Sequence, residues 1–137
     1  MDDFGNCLVS NSRMAARAVT RRYDAALRPH GVTSTQLSLL GAIKTLPDRT
    51  VSDIAEARGF ERTTLTRNLD RLEAMGLIAS RAAERGNGRI PAITVEGEAM
   101  LKQLVPLWRQ AQADMQAELG KAGFDDALRM LKTLATL

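Results

Sequence analysis

A single cysteine, Cys7, and a single histidine, His30, stand in 137 residues. One thiol closes no intrachain disulfide, and one thiol with one imidazole supplies no Cys/His zinc spacing, so no metal is expected. The same scarcity removes the usual catalytic sets. No Ser/His/Asp arrangement has a telling spacing, and Gly86-Asn87-Gly88 sits in a hairpin context, not between a strand and a helix where a phosphate loop lies. A Cys7 nucleophile would need His30 as its base, and nothing in the sequence places them together. Neither a catalytic residue nor a cofactor is therefore expected. Long apolar runs are missing too: the chain opens on Asp2 and Asp3 without an apolar leader, and no stretch is long enough to span a bilayer. A cytoplasmic chain without a membrane partner is the expectation. With 45% hydrophobic and 26% charged residues, the composition fits one soluble domain with a genuine core.

What is present concentrates between Thr50 and Gly97. Val51, Ile54, Ala55 and Arg58 recur at helical spacing, and Gly59 ends that segment. From Arg62 to Met75 a second helix follows, with Leu65, Leu69, Leu72 and Met75 forming an apolar stripe expected to face the core. Its opposite face carries Arg62, Thr63, Thr66, Arg67 and Asn68, and no carboxylate interrupts it before Asp70. Such a face suits the major groove of duplex DNA. A plain solvated surface is the competing reading, and the location of charge argues against it. From Arg58 to Arg89 seven arginines stand against four acids, an excess of three that equals the whole chain's net charge of +3.

After Gly76, the segments 77–83 and 89–93 bracket the run Glu84-Arg85-Gly86-Asn87-Gly88, which predicts two short strands around a projecting tip. Pro91 cannot donate to a ladder, so the returning strand should be an edge or should bulge there. Arg85 and Arg89 are then available to phosphates or a minor groove.

Helices flank this unit. An amphipathic helix runs from about Phe4 to Leu27 and is stopped by Pro29. Thr33-Ser34-Thr35-Gln36 matches a capping box opening a helix through Leu46. Thr94 is the expected N-cap of a helix to about Leu119 that Pro106 should kink. Gly120 and Gly123 separate it from a last helix, about Asp125 to Leu134. The apolar residues of these ends, notably Leu104, Trp108, Ala111, Met115, Leu128, Leu131 and Leu134, exceed what a small winged unit covers. Burial against a second copy is expected, with packing inside a monomer as the alternative. The expected organisation is one domain, 1–137, in which 33–94 form the winged helix-turn-helix and 4–30 with 95–137 the dimerisation region.

Four segments, taken in order, resemble the multiple-antibiotic-resistance regulator (MarR) family of winged-helix transcription factors: Leu27 to Gln36, Val51 to Ala55, Thr64 to Ile78, and Ile93 to Gly97. The resemblance covers about half the chain. It implies a mainly α fold with a small β-hairpin wing, a homodimer whose first and last helices interlock, and a repressor of a short inverted-repeat operator. It assigns Arg62, Thr63, Thr64, Thr66, Arg67 and Asn68 to the recognition helix, Ser52 to the helix before it near the backbone, and Arg89 to the wing, with Arg67 and Arg89 foremost; Arg85 and Asn87 of the tip are further candidates for DNA contact. The family's wing carries Asp-x-Arg where this chain has Asn87-Gly88-Arg89. A neutral Asn87 in place of the Asp should leave Arg89 loosely held and the wing mobile.

The resemblance also implies a small anionic or aromatic effector, for which Arg13, Arg17 and His30 are the candidate partners, against the alternative that they are solvated or paired with acids. A redox-sensing branch of the family uses an N-terminal cysteine. Here a buried, inert Cys7 is expected instead, because only Tyr23 is present to assist it. A protein-interaction module without a DNA target is the remaining alternative.

Overall fold

The computed structural model describes residues 2–86 and 88–137. A short 3-10 turn, Phe4–Asn6, precedes α1 (Leu8–Leu27), so the first helix begins four residues later than expected, with extended Cys7 as its N-cap. Pro29 ends it within a second 3-10 turn, Arg28–His30. The capping box forms as read: Thr33 Oγ1 accepts the Gln36 N–H at 3.1 Å, and Gln36 Oε1 accepts the Thr33 N–H at 3.0 Å, opening α2 (Ser34–Thr45). A second box, Thr50 with Asp53, opens α3 (Val51–Arg58). The tight turn after Gly59 leads to α4 (Arg62–Ala74).

The stripe on α4 does what its spacing demands. Leu65, Leu69 and Leu72 are buried with Leu39, Leu40 and Ile43 of α2, Ile54 of α3 and Leu27 of α1. Each such side chain contributes about 1.5–3 kcal/mol when fully buried. Met75 departs from the expectation: it follows the last helical residue of α4 and is exposed. The antiparallel pair β1 (Ile78–Ala82) and β2 (Arg89–Ile93) forms the hairpin, running from Ile78 opposite Ile93 to Ala82 opposite Arg89. Pro91 pairs with Ser80 without a bulge, since each strand of a two-stranded sheet is an edge where Pro is tolerated.

Thr94 caps α5 (Val95–Ala135), its Oγ1 accepting the Gly97 N–H at 3.0 Å. The backbone keeps helical dihedrals through Pro106 and leaves them at Gly120 (φ 73°, ψ 158°), a conformation nearly confined to glycine. The expected gap from 120 to 124 thus shrinks to one residue, and Gly123 stays helical. Arg22 of α1 grips Glu118 of α5 with two bonds of 2.6 and 2.8 Å, and this guanidinium holds the Glu118 carboxyl below its usual range.

Two residues assigned to a dimer surface prove otherwise. Leu104 is 0% exposed in the core of its own chain, and Ala111 is buried on the side of α5 that meets α1. An apolar period cannot by itself say which partner covers a residue. Met115 and Leu134 are partly covered, Trp108 is 39% exposed, and Leu128 and Leu131 are exposed. Phe4, Leu8, Val9 and Met14 join them as exposed apolar side chains at the other end of the chain. Among the described residues no helix is long and apolar enough to cross a membrane.

The start of α5 crosses the hairpin so closely that a Cβ on Gly97 would stand 2.1 Å from the Leu77 carbonyl oxygen. Gly97→Ala is therefore expected to destabilise the fold by about 2–3 kcal/mol, as overpacking against an unyielding neighbour does. Urea unfolding measures this, and a wild-type midpoint for the variant would contradict the close crossing.

Candidate nucleic-acid interface

The turn between α3 and α4 sets α4 with its leucines inward and Arg62, Thr63, Thr66 and Arg67 outward, where they line one shallow depression together with Asp70. No side chain caps the first turn of α4, so its backbone N–H groups remain open to an anion. Ser52 is exposed in the first turn of α3. Two assigned residues are less available. Thr64 is half-buried, and Asn68 donates its amide to the Thr64 carbonyl at 2.9 Å, which occupies part of its hydrogen-bonding capacity.

Charge sorts the arginines further. Arg81 pairs with Asp48 at 3.1 Å, and Arg58 donates to Thr45 Oγ1 at 2.8 Å. Arg62, Arg67, Arg71 and Arg85 hold no ion pair among the described residues, so α4 and the wing tip carry unmatched positive charge outward.

Arg89 is where the structure corrects the sequence reading most. It is the first residue of β2, paired with Ala82, not part of the tip. Its guanidinium reaches back to α4: Nη1 donates to Asp70 Oδ1 and Nη2 to Glu73 Oε2, both at 2.9 Å, while Nε donates to Ser80 Oγ at 3.0 Å. Far from being loosely held for want of an Asp at position 87, it has two carboxylates and a hydroxyl. Arg85 is the exposed arginine of the tip, and Asn87 lies outside the described residues. The hairpin closes with the Ala83 N–H donating to the Gly88 carbonyl at 2.8 Å.

Behind this face lies a cleft of about 540 Å³ between α1, α2 and α5. Val19, Tyr23, Leu37, Leu101, Val105 and Trp108 make it mainly apolar, and Ser34, Ser38, Gly41 and Thr45 give it one wall of small residues. Arg13, Arg17 and His30 do not line it. The two arginines are exposed, closer to the N-terminus of α1 than the cleft, and His30 follows the end of that helix. The cation on the lining is Lys44, whose Nζ meets Glu98 Oε2 at 3.0 Å. Tyr23 donates its hydroxyl to Gln112 Oε1, and burial pushes its phenol up from the ordinary value. This cleft was not among the sites expected from the sequence, although the small residues at 34, 38, 41 and 45 of α2 repeat at helical spacing, as the wall of a groove does.

A family model described as MarR family matches residues 30–90. The crystal structure of the transcriptional regulator MosR of M. tuberculosis is 38% identical, with a TM-score of 0.86 over 98% of this chain and 96% of that one. The chain belongs to the MarR family of transcriptional regulators. MosR has also been solved in complex with DNA, where identity is 37%, the TM-score 0.86 and coverage 96% and 95%. The transcriptional repressor CouR, bound to p-coumaroyl-CoA, is 25% identical with a TM-score of 0.84 over 98% and 96% of the two chains. An uncharacterised HTH-type regulator of Bacillus subtilis, YwoH, is 25% identical over 126 residues, 90% of this chain and 92% of that protein. Membership places the chain among regulators and not enzymes.

Within this MarR-family chain Cys7 is not buried, contrary to the sequence reading. It is half-exposed at the N-cap of α1, where the hydrogen-bonding groups of Ser10, backbone and then hydroxyl, and next the Val9 backbone favour the thiolate and hold the thiol below its ordinary value. Because the thiolate is the reactive form, alkylation by iodoacetamide is expected to reach half its plateau rate at lower pH than a free cysteine does. Ser10→Ala should move that midpoint back up. A profile matching the free thiol in both proteins would remove the helix N-terminus as its cause.

Proposed function

We propose that this chain is a homodimeric, cytoplasmic transcriptional repressor that binds a short pseudo-palindromic operator in duplex DNA and responds to a small aromatic effector. The observation that carries this reading is the outward face of α4, with Arg62, Thr63, Thr66 and Arg67 set side by side over an uncapped helix start. Ser52 and Arg85 flank it, and Thr64 and Asn68 contribute through what their intrachain contacts leave free. MosR, similar over nearly its whole length, has been solved with DNA, and CouR with a 23-mer DNA duplex. Phosphate contacts supply most of the affinity, and the α4 side chains the sequence preference.

Residues 33–94 are the DNA-reading part, and 4–30 with 95–137 the dimerisation part. The exposed Phe4, Leu8, Val9 and Met14 at one end and Leu128, Met130 and Leu131 at the other leave more apolar surface than a monomer keeps in water. A twofold dimer covers it and sets two copies of α4 on successive major grooves, about 10 bp apart.

The cleft is the effector site of this reading. Tyr23, Leu101 and Trp108 give it apolar walls suited to a flat ring, and an acidic group on that ring would compete with Glu98 for Lys44. CouR has been solved with p-coumaroyl-CoA, an aromatic acyl ligand.

Anisotropy titration of a duplex from the protein's own promoter region, with competitor DNA at two salt concentrations, tests the DNA reading. Arg67→Ala is expected to weaken binding by about 1–3 kcal/mol and relax sequence preference if Arg67 reads a base. Unchanged affinity and preference would remove Arg67 from the interface. For the effector, Trp108 is the only tryptophan and lines the cleft, so ligand binding changes its fluorescence. A Cβ at Gly41 meets nothing within 4 Å, so Gly41→Leu should fill the cleft, abolish that change and keep the fold. Ligand response surviving in Gly41→Leu would place the effector elsewhere.

A further inference from the structure

Resting on the DNA-binding reading above, we infer that Arg89 is a positioning residue that fastens the wing to the recognition helix, and that it does not itself contact DNA. A guanidinium that contacts phosphate must offer N–H groups and charge outward, but three of the five N–H groups of Arg89, one each on Nε, Nη1 and Nη2, already donate within the chain, and two carboxylates face its charge. Its side chain is only 27% exposed, whereas Asp70 and Glu73 keep 65% and 42% of theirs. The three acceptors come from two different elements: Asp70 and Glu73, one turn apart on α4, and Ser80 on β1. Glu73 is tied twice, since its Oε1 also accepts the Ser80 backbone N–H at 3.0 Å. One side chain thus joins both strands of the hairpin to the far half of α4.

Two consequences follow from elementary electrostatics. Asp70 lines the same depression as Arg62, Thr63, Thr66 and Arg67, so an unpaired carboxylate there would repel an approaching phosphate; Arg89 neutralises it in place. The wing also takes a fixed angle to α4, which sets where Arg85 at the tip falls relative to the groove that α4 enters. A lysine cannot perform the same task, because one ammonium does not match two carboxylates and a hydroxyl with planar, forked geometry.

The test uses the full chain and a duplex selected from a random pool by the wild-type protein. The double variant Asp70→Asn/Glu73→Gln removes two negative charges and releases Arg89. If Arg89 were a DNA contact, this variant would bind more tightly. The positioning role requires the opposite: binding about fivefold weaker, the ratio that one partly exposed ion pair supplies, despite the gain in positive charge. Arg89→Gln, on the same reasoning, should weaken binding while the slope of log affinity against log salt stays at the wild-type value. Loss of a phosphate contact would reduce that slope by about 0.9. Arg89→Lys should not rescue.

Hydrogen exchange on the DNA-free protein supplies a readout that does not depend on DNA binding at all. Amides of β1 and β2 should exchange faster in both Arg89→Gln and the double variant, while those of α2 keep their protection and show that the core is intact. Tighter binding by the double variant, a reduced salt slope for Arg89→Gln, or unchanged exchange in the hairpin each overturns the proposal. Failure of the wild-type protein to select any duplex would instead overturn the DNA reading, with the hairpin exchange still deciding whether Arg89 fastens the wing.

Discussion

The backbone of Leu77 is the joint on which the arrangement depends. Its N–H donates to the Leu72 carbonyl at the end of α4, 3.0 Å away, and its carbonyl accepts the Thr94 N–H at 3.1 Å just before α5. Thr94 Oγ1 donates in turn to the Gly76 carbonyl at 2.6 Å, and Gly97 passes so close to Leu77 that no side chain fits between them. Buried backbone groups must find partners, and here the partners of one residue come from the recognition helix on one side and the long C-terminal helix on the other. The two helices are thereby fixed in angle through a few atoms of backbone. In the proposed dimer, where α5 meets a second copy, the separation of the two α4 helices follows from this joint and not from the flexible surface of either protomer.

Local chemistry was legible in the sequence wherever it was truly local. The Thr33 and Gln36 pair, the Leu65, Leu69 and Leu72 stripe, Gly59 and the Thr94 cap are fixed by neighbours within four residues, and the structure has each as read. What escaped was set by distant partners. The sequence cannot show that Arg89 finds carboxylates 16 and 19 positions back, because no periodicity links a strand residue to a preceding helix. Leu104 carried the right hydrophobicity and the wrong partner: an apolar residue on a long helix reads alike whether its own chain or another covers it. The cleft is missed for a related reason, being a space that Ser34, Ser38, Gly41 and Thr45 leave only once α1 and α5 stand opposite them.

The distribution of charge also changes meaning between sequence and structure. A local excess of three positive charges first suggested a nucleic-acid surface, but three of the seven arginines counted there serve the protein itself: Arg58 bonds Thr45, Arg81 pairs with Asp48, and Arg89 holds two acids. The surface stays positive because Arg81 and Arg89 are matched by carboxylates, two of them, Asp70 and Glu73, from the four acids counted there and one, Asp48, from outside the segment. What remains outward on α4 and the tip is four arginines, and Glu61 and Glu84 are the acids left beside them. Net charge located the surface, while pairing decided which residues belong to it.

The same helix that walls the cleft also supports α4, which would give the proposed effector a physical route to the proposed DNA face. One side of α2 presents Ser34, Ser38, Gly41 and Thr45 to the cleft, and Leu39, Leu40 and Ile43 place its other side in the core with the α4 leucines. Interiors at crystal-like density do not absorb a displaced wall by compression, so α2 and α4 move together or not at all. Lys44 and Glu98 tie the same wall to α5, and an anionic ligand of the kind proposed would release that tie by taking Lys44. Tight binding alone would shift nothing; the ligand must favour the arrangement in which α2 has moved. One opened ion pair and one displaced helix face are of the right order for the about 1–3 kcal/mol that couples sites in regulated proteins. Reciprocity then follows: DNA that holds α4 in place must weaken the ligand by the same factor.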